Sequence, residues 1–153
     1  MQLTQHTDFA LRTLLYLALH DERPVSVREV AEAYGISRHH LTKVARTLSQ
    51  HGYIKTIRGH TGGMRLDRPA NDINIGAMVR AMEPHFGLVA CFPGNTTGHC
   101  CIAPACGLTS ILHQAMNEFF AVLDRYTLAD CMTKPSYLRA LLHNTTHTMA
   151  AGK

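Results

Sequence analysis

Four of the five cysteines in this 153-residue chain crowd into one stretch, ACFPGNTTGHCCIAPAC, as Cys91, Cys100, Cys101 and Cys106. Thiolates are nucleophiles and soft metal ligands, so the stretch could serve as a disulfide staple, a zinc knot, an iron–sulfur site or a set of buried thiols. Zinc sites built on cysteine usually present two C-x2-C pairs. Here the order is Cys91-x8-Cys100-x5-Cys106 with Cys101 as an extra, in a loop rich in Gly, Pro and Thr. That is a poor zinc ribbon and an acceptable wrapping for a larger iron–sulfur core, whose irons need soft ligands. Side chains of adjacent residues diverge, so Cys100 and Cys101 are not expected to reach one cluster together. Three cysteines are then natural ligands, and a fourth ligand comes from elsewhere.

The compartment bears on that choice. The opening MQLTQHTDFALRTLLYLALH has neither a basic leader nor a small-residue cleavage site, and its apolar residues fall at helical spacing. It reads as a helix and not as a signal peptide. The chain also lacks a membrane-length apolar run, which would need about 18 residues. A cytoplasmic protein with no membrane partner is expected, among reduced thiols, where clustered cysteines serve metal or redox chemistry. The odd cysteine count also argues against a fully paired disulfide framework.

Residues that must position such a site come next. Residues 2–20 form a first helix with Leu11, Leu14, Leu15 and Ala18 on one face. In SVREVAEAYG, Ser26 and Glu29 make a capping box, and Gly35 stands where a helix ends. Ser37 can cap a third helix, SRHHLTKVARTLSQHG, whose stripe Leu41, Val44, Ala45 and Leu48 faces inward. Two capped helices about a short glycine-containing turn form a helix-turn-helix. YIKTIRG and MRLDRP follow as two strands, with Gly62-Gly63 expected to supply positive φ at the tip. The expected fold is therefore mainly α: a winged helix-turn-helix domain with a two-stranded wing and a long dimerisation helix.

The charge pattern supports a nucleic-acid face. Between Ile36 and Arg68 lie seven basic residues against the single acid Asp67, a local charge of +6 within a chain of net +4. Ser37, Arg38, His39, His40 and Lys43 sit at or near the start of the third helix, where a recognition helix meets base edges and phosphates. Arg58, His60 and Arg65 flank the wing tip, within reach of backbone or minor groove. No phosphate loop, nucleophile elbow or supported acid pair is present, so an enzyme is not expected.

The remaining chain divides simply. Residues 1–83 form the winged helix-turn-helix domain, with its first helix contributing to a dimer. Residues 84–107 form the cysteine loop, and 108–142 a long helix followed by a short one, SYLRALL. The long helix carries Leu108, Ile111, Leu112, Ala115, Phe119, Val122, Leu123 and Tyr126, a stripe best buried against a second copy. The polar tail 143–153 reads as disordered, with His143 and His147 solvated.

The segments MQLTQHTDFALR, YGISRHHLTKV, GYIKTIRGHTGGMRL, INIGAMVRAMEP, CCIAPACGL and LDRYTLAD together resemble the NsrR group of nitric-oxide-sensing repressors, within the IscR-like superfamily of iron–sulfur winged-helix regulators. The resemblance spans residues 1 to about 132. It implies that Cys91, Cys100 and Cys106 hold the cluster, Cys100 keeping the spacing that the group shows. It also implies that Asp8, contributed by the partner subunit, is the non-cysteine ligand. Read alone, Asp8 would simply favour the start of its helix. IscR-type relatives use a histidine three residues after the last cysteine, where this chain has Thr109. His99 and His113 are nearby but read as surface or interface residues, and Cys131 as an inert thiol.

The function so implied is a homodimeric transcriptional repressor bound to palindromic double-stranded DNA. Each subunit would carry one [4Fe–4S] or [2Fe–2S] cluster, and nitric oxide would be the signal, with nitrosylation of the cluster releasing DNA. The alternative is a winged-helix regulator without a cluster, thiol-switched or zinc-bearing, that uses Cys100, Cys101 and Cys106.

Overall fold

A computed structural model describes residues 2–59, 61–92 and 100–150, with the side chains of 144–150 outside that set. Helix α1 spans Gln5–Leu19 and starts where Thr4 Oγ1 accepts from the Thr7 N–H at 3.3 Å. Such a cap satisfies one of the orphan donors of a helix start and is worth about 1 kcal/mol. Ala10, Leu14 and Leu17 are fully buried and make α1 the central strut of the core.

Helix α2 (Val27–Tyr34) begins at Ser26, whose hydroxyl accepts from the Glu29 N–H at 3.1 Å. The expected capping box is therefore half made. The Glu29 carboxylate does not return to Ser26 but is taken by Arg23 and the Tyr16 hydroxyl. Gly35 ends α2 at φ 63°, a left-handed conformation that glycine adopts without strain. Helix α3 (Arg38–Gln50) buries Leu41, Val44, Ala45 and Leu48 as expected. Ser37 occupies its cap position, but its hydroxyl makes no cap bond.

Strands β1 (Ile54–Ile57) and β2 (Gly63–Leu66) pair antiparallel, with Ile54 opposite Leu66 and Ile57 opposite Gly63. Val25 joins this wing through reciprocal backbone bonds with Met64 at 2.9 and 2.7 Å. The glycines of the wing work differently from the expectation. Among the described residues of the hairpin, positive φ occurs at Gly59 (φ 115°), not at Gly62 or Gly63. Those two are required by close approach. A Cβ on Gly62 would lie 2.3 Å from the Ile57 carbonyl oxygen, and one on Gly63 would lie 2.7 Å from that of Val25.

Helix α4 (Ile75–Met82) is capped by Asn74, whose side-chain oxygen accepts from the Ala77 N–H at 2.9 Å. Helix α5 (Gly107–Leu123) is bolted to α4 at its far end. Arg80 grips Asp124 with two bonds of 2.6 and 2.8 Å and lies over the Phe120 ring at 4.1 Å. The apolar stripe of α5 resolves into two faces. Met116 and Phe120 are buried and Leu112, Phe119 and Leu123 half-buried on the intrachain side, whereas Leu108 and Ile111 are 55% and 62% exposed. Helix α6 (Pro135–Ala150) packs back onto α2 and α1, where Arg139 Nε donates to the Leu19 carbonyl at 2.7 Å. Its backbone runs to Ala150, through most of the stretch expected to be disordered from residue 143.

Candidate nucleic-acid interface and cysteine segment

The fold sorts the seven basic residues of the Ile36–Arg68 segment into two groups. Lys55 pairs with Asp67 at 3.6 Å, Arg65 donates to the Asp21 carbonyl, and Arg68 donates to Gly52 and lies over Tyr53. These three serve the wing's own structure. Arg38, Lys43 and Arg46 on α3 and Arg58 on the wing are exposed and have no acidic partner among the described residues. Elsewhere on the surface, Arg12, Arg23, Arg28 and Arg80 are ion-paired, whereas Arg125 and Lys134 stand singly, exposed and without an acidic partner among the described residues. The four cations of α3 and the wing tip differ in being clustered within one short segment, and such a group leaves an uncompensated positive field, as a polyanion site requires.

Ser37, His39 and His40 are also exposed at the start of α3, and His40 stacks against Phe9 of α1 at 6.4 Å. His60 lies outside the described residues. Arg46 was not among the residues expected to face nucleic acid, although its type and its place off the apolar stripe were visible signals. Arg65 was expected to face nucleic acid, yet its guanidinium is turned to the Asp21 carbonyl, on the turn between α1 and α2.

Asp8 lies in the first turn of α1, half-exposed, in a two-pronged ion pair with Arg12 at 2.8 and 3.0 Å. The start of that helix is also held from across the fold. Glu83, buried at the end of α4, accepts from the Thr4 N–H at 2.6 Å and from its hydroxyl at 3.1 Å. Sequence reading missed this tie, because no local pattern links residues 79 positions apart. The chain leaves Glu83 directly into the segment that leads to Cys91, so α1 and the cysteine segment share one anchor.

All five cysteines are free thiols. Cys91, Cys100 and Cys106 are half-buried, and Cys101 is exposed. Cys106 occupies the cap position of α5 without a side-chain cap bond, and Cys91 Sγ lies 3.4 Å from Thr109 Oγ1 in the first turn of the same helix. Cys91 and Cys106 are thus both attached to the start of α5, where a helix favours negative charge. Phe92 stacks on His113 at 4.2 Å and Phe86 meets Phe120 edge-on at 4.7 Å, seating the segment along the helix. Among the described residues, no group of three or more His, Cys, Asp or Glu side chains stands close enough to hold a metal ion. Cys131 lies apart on an exposed turn, where desolvation of the thiolate and the neighbouring Asp130 carboxylate push its thiol pKa up, which suits an unreactive thiol.

The profile of a family described as Rrf2, iron-dependent transcriptional regulator, matches residues 3–134. The chain belongs to the Rrf2 family. It is 46% identical over 143 residues to the HTH-type transcriptional regulator NsrR of Geobacillus kaustophilus, covering 93% of this chain and 97% of that protein. It is 45% identical over 145 residues to the NsrR of Bacillus subtilis strain 168, with the same coverage. Among solved structures, T. potens IscR superposes with a TM-score of 0.68 at 26% identity over 86% of both chains. CymR, the global cysteine regulator of B. subtilis, superposes with 0.66 at 26% identity, over 90% of this chain and 98% of that one.

The relatives that this chain matches over nearly their whole length are named transcriptional regulators, not enzymes. Among the described residues, no helix is long and apolar enough to cross a membrane.

Proposed function

We propose that this Rrf2 protein is a homodimeric, DNA-binding transcriptional repressor that responds to nitric oxide through an iron–sulfur cluster. The observation that carries the reading is a pairing within one short chain. A winged helix leaves its recognition-helix cations unpaired, and a segment of three free, half-buried thiols is seated on a long helix with an exposed apolar face. The close similarity to the NsrR relatives supports the signal.

The donor set suits the group. Cys91, Cys100 and Cys106 would supply soft thiolates, and Asp8 of the partner subunit a hard oxygen that is more readily displaced. When bound, the cluster supplies iron that reacts with a small diatomic ligand. The chain's own residues do the rest. The exposed face of α5 (Leu108, Ile111, Val122) would meet its copy and set the spacing of the two recognition helices, so that the dimer reads a palindrome. Helix α1 carries Asp8, packs on α3 and is anchored through Thr4 to Glu83. A change in what holds Asp8 therefore reaches the recognition helix through one rigid element. By linkage, the state that holds Asp8 across the dimer must be the state that binds DNA better.

The test is a set of single Cys→Ser chains, purified without oxygen and scored for visible absorbance and selective DNA binding. C91S, C100S and C106S lose both properties, whereas C101S and C131S keep both. Loss in C101S, or retention in any of the first three, contradicts the assignment. A colourless wild-type protein whose DNA affinity follows reductant would indicate the thiol switch.

A further inference from the structure

Within residues 2–92, Ile57 is the one described large apolar side chain that the fold leaves exposed. The others of that class lie on the cysteine segment, on α5 and the turn after it, and on α6. A single exposed isoleucine is ordinary in itself, but its position is not. Ile57 is the last residue of β1, on the same strand face as Lys55 and opposite Gly63. Gly63 cannot carry a side chain, because a Cβ there would meet the Val25 carbonyl oxygen at 2.7 Å. Ile57 therefore has no side chain directly opposite it on β2 and is left 38% exposed, and a threonine would suit the strand geometry. The next residue is Arg58, exposed and without an acidic partner among the described residues. The tip then turns at Gly59 and returns through Gly62, whose missing Cβ lets it lie against the Ile57 carbonyl.

A cation and a partly exposed apolar side chain, adjacent at the end of a narrow two-stranded wing, match the chemistry of the DNA minor groove. Its floor and walls pair strong negative potential with deoxyribose and base-edge carbon. We propose that Ile57 is a specificity-determining residue. On this reading it packs into the minor groove beside Arg58 and favours A·T pairs flanking the segment read by α3, through groove width and apolar packing. The inference rests on the DNA-binding reading above. It adds a second readout to that reading, at base pairs α3 does not touch.

The experiment compares the full-length wild type with I57T and R58A, using duplexes that the wild type itself selects from a random library. Threonine keeps the branched strand geometry and removes the apolar end; because Ile57 is 38% exposed, the melting temperature of I57T should fall slightly, and binding is compared at a temperature where both proteins are folded. The expected result is an affinity loss of about tenfold per half-site in I57T, as for one apolar group withdrawn from a buried site, with an unchanged salt slope. R58A should instead lower the salt slope by about 0.9 for each phosphate that the arginine neutralises. Replacing flanking A·T by G·C should weaken the wild type more than it weakens I57T. Replacement by inosine·C, which keeps an A·T-like minor groove, should be tolerated. The inference is overturned if I57T binds as wild type, if its loss follows the salt slope, or if inosine·C is rejected like G·C. If the wild type selects no duplex at all, the DNA-binding reading itself fails, an outcome distinct from any behaviour of I57T.

Discussion

Replacing Glu83 by alanine tests how firmly α1 is anchored. Glu83 as a whole is only 9% exposed, and its carboxylate accepts two bonds from Thr4, at 2.6 Å from the N–H and 3.1 Å from the hydroxyl. Removing a charged acceptor costs about 1.5–3 kcal/mol per bond when its partners stay dry. Thr4 is itself exposed, so water recovers part of that loss. The carboxylate also meets the positive end of α1, worth about 0.5 kcal/mol. Together these give a loss of about 2–3 kcal/mol, or about 4–12 °C in melting temperature for a chain of this size. E83Q keeps one oxygen acceptor and should lose about 1 kcal/mol. Urea and thermal unfolding at fixed protein concentration measure both, and amide exchange at Thr7 and Asp8 reports the start of α1 directly. E83A within about 0.5 kcal/mol of wild type, or E83Q as damaging as E83A, would refute the anchor.

The division of the charges into paired and unpaired sets makes further outcomes testable. R38A, K43A and R58A should each lower the salt slope of DNA binding by about 0.9. R65A should change stability more than slope, because its guanidinium is held by the Asp21 carbonyl. D8A removes an exposed i,i+4 pair worth only about 0.3–0.5 kcal/mol, so its melting should scarcely move while its response to nitric oxide changes. A D8A protein with an intact cluster and an unaltered response would count against Asp8 as a ligand. The Arg23 hydrogen bond holds the Glu29 carboxyl below its ordinary value of 4.5. Its stabilising contribution is present above that value and disappears as pH falls toward the depressed folded one. Urea midpoints of wild type and E29Q should therefore converge on acidification through the carboxylate range, and a constant gap would contradict the pairing.

The elements that punctuation defines were legible in the sequence. Ser26 and Gly35 bracket α2, and the stripe on α3 fixes which of its residues face out. What stayed hidden depends on interactions between distant residues. Gly62 and Gly63 looked like hairpin-tip residues, but the demand on them comes from the Ile57 and Val25 backbone, and the positive φ falls on Gly59. The polar end of α6 has no apolar period to reveal it, and that helix is docked in part by Arg139 bonding to the end of α1. The cysteine spacing was visible at once. Its completion was not legible in the residues themselves, because nothing in the local pattern around Asp8 marks it as more than a charge at a helix start; only the resemblance implied it as a ligand.

The most direct test of the central claim is an anaerobic titration of the purified wild type with nitric oxide, following visible absorbance, iron and sulfide content, and DNA binding on the same sample. The account predicts a coloured dimer with one cluster per subunit, whose absorbance bands collapse as selective DNA binding is lost in the same proportion. A protein that stays colourless after reconstitution, or one that keeps its DNA while its bands collapse, would contradict it.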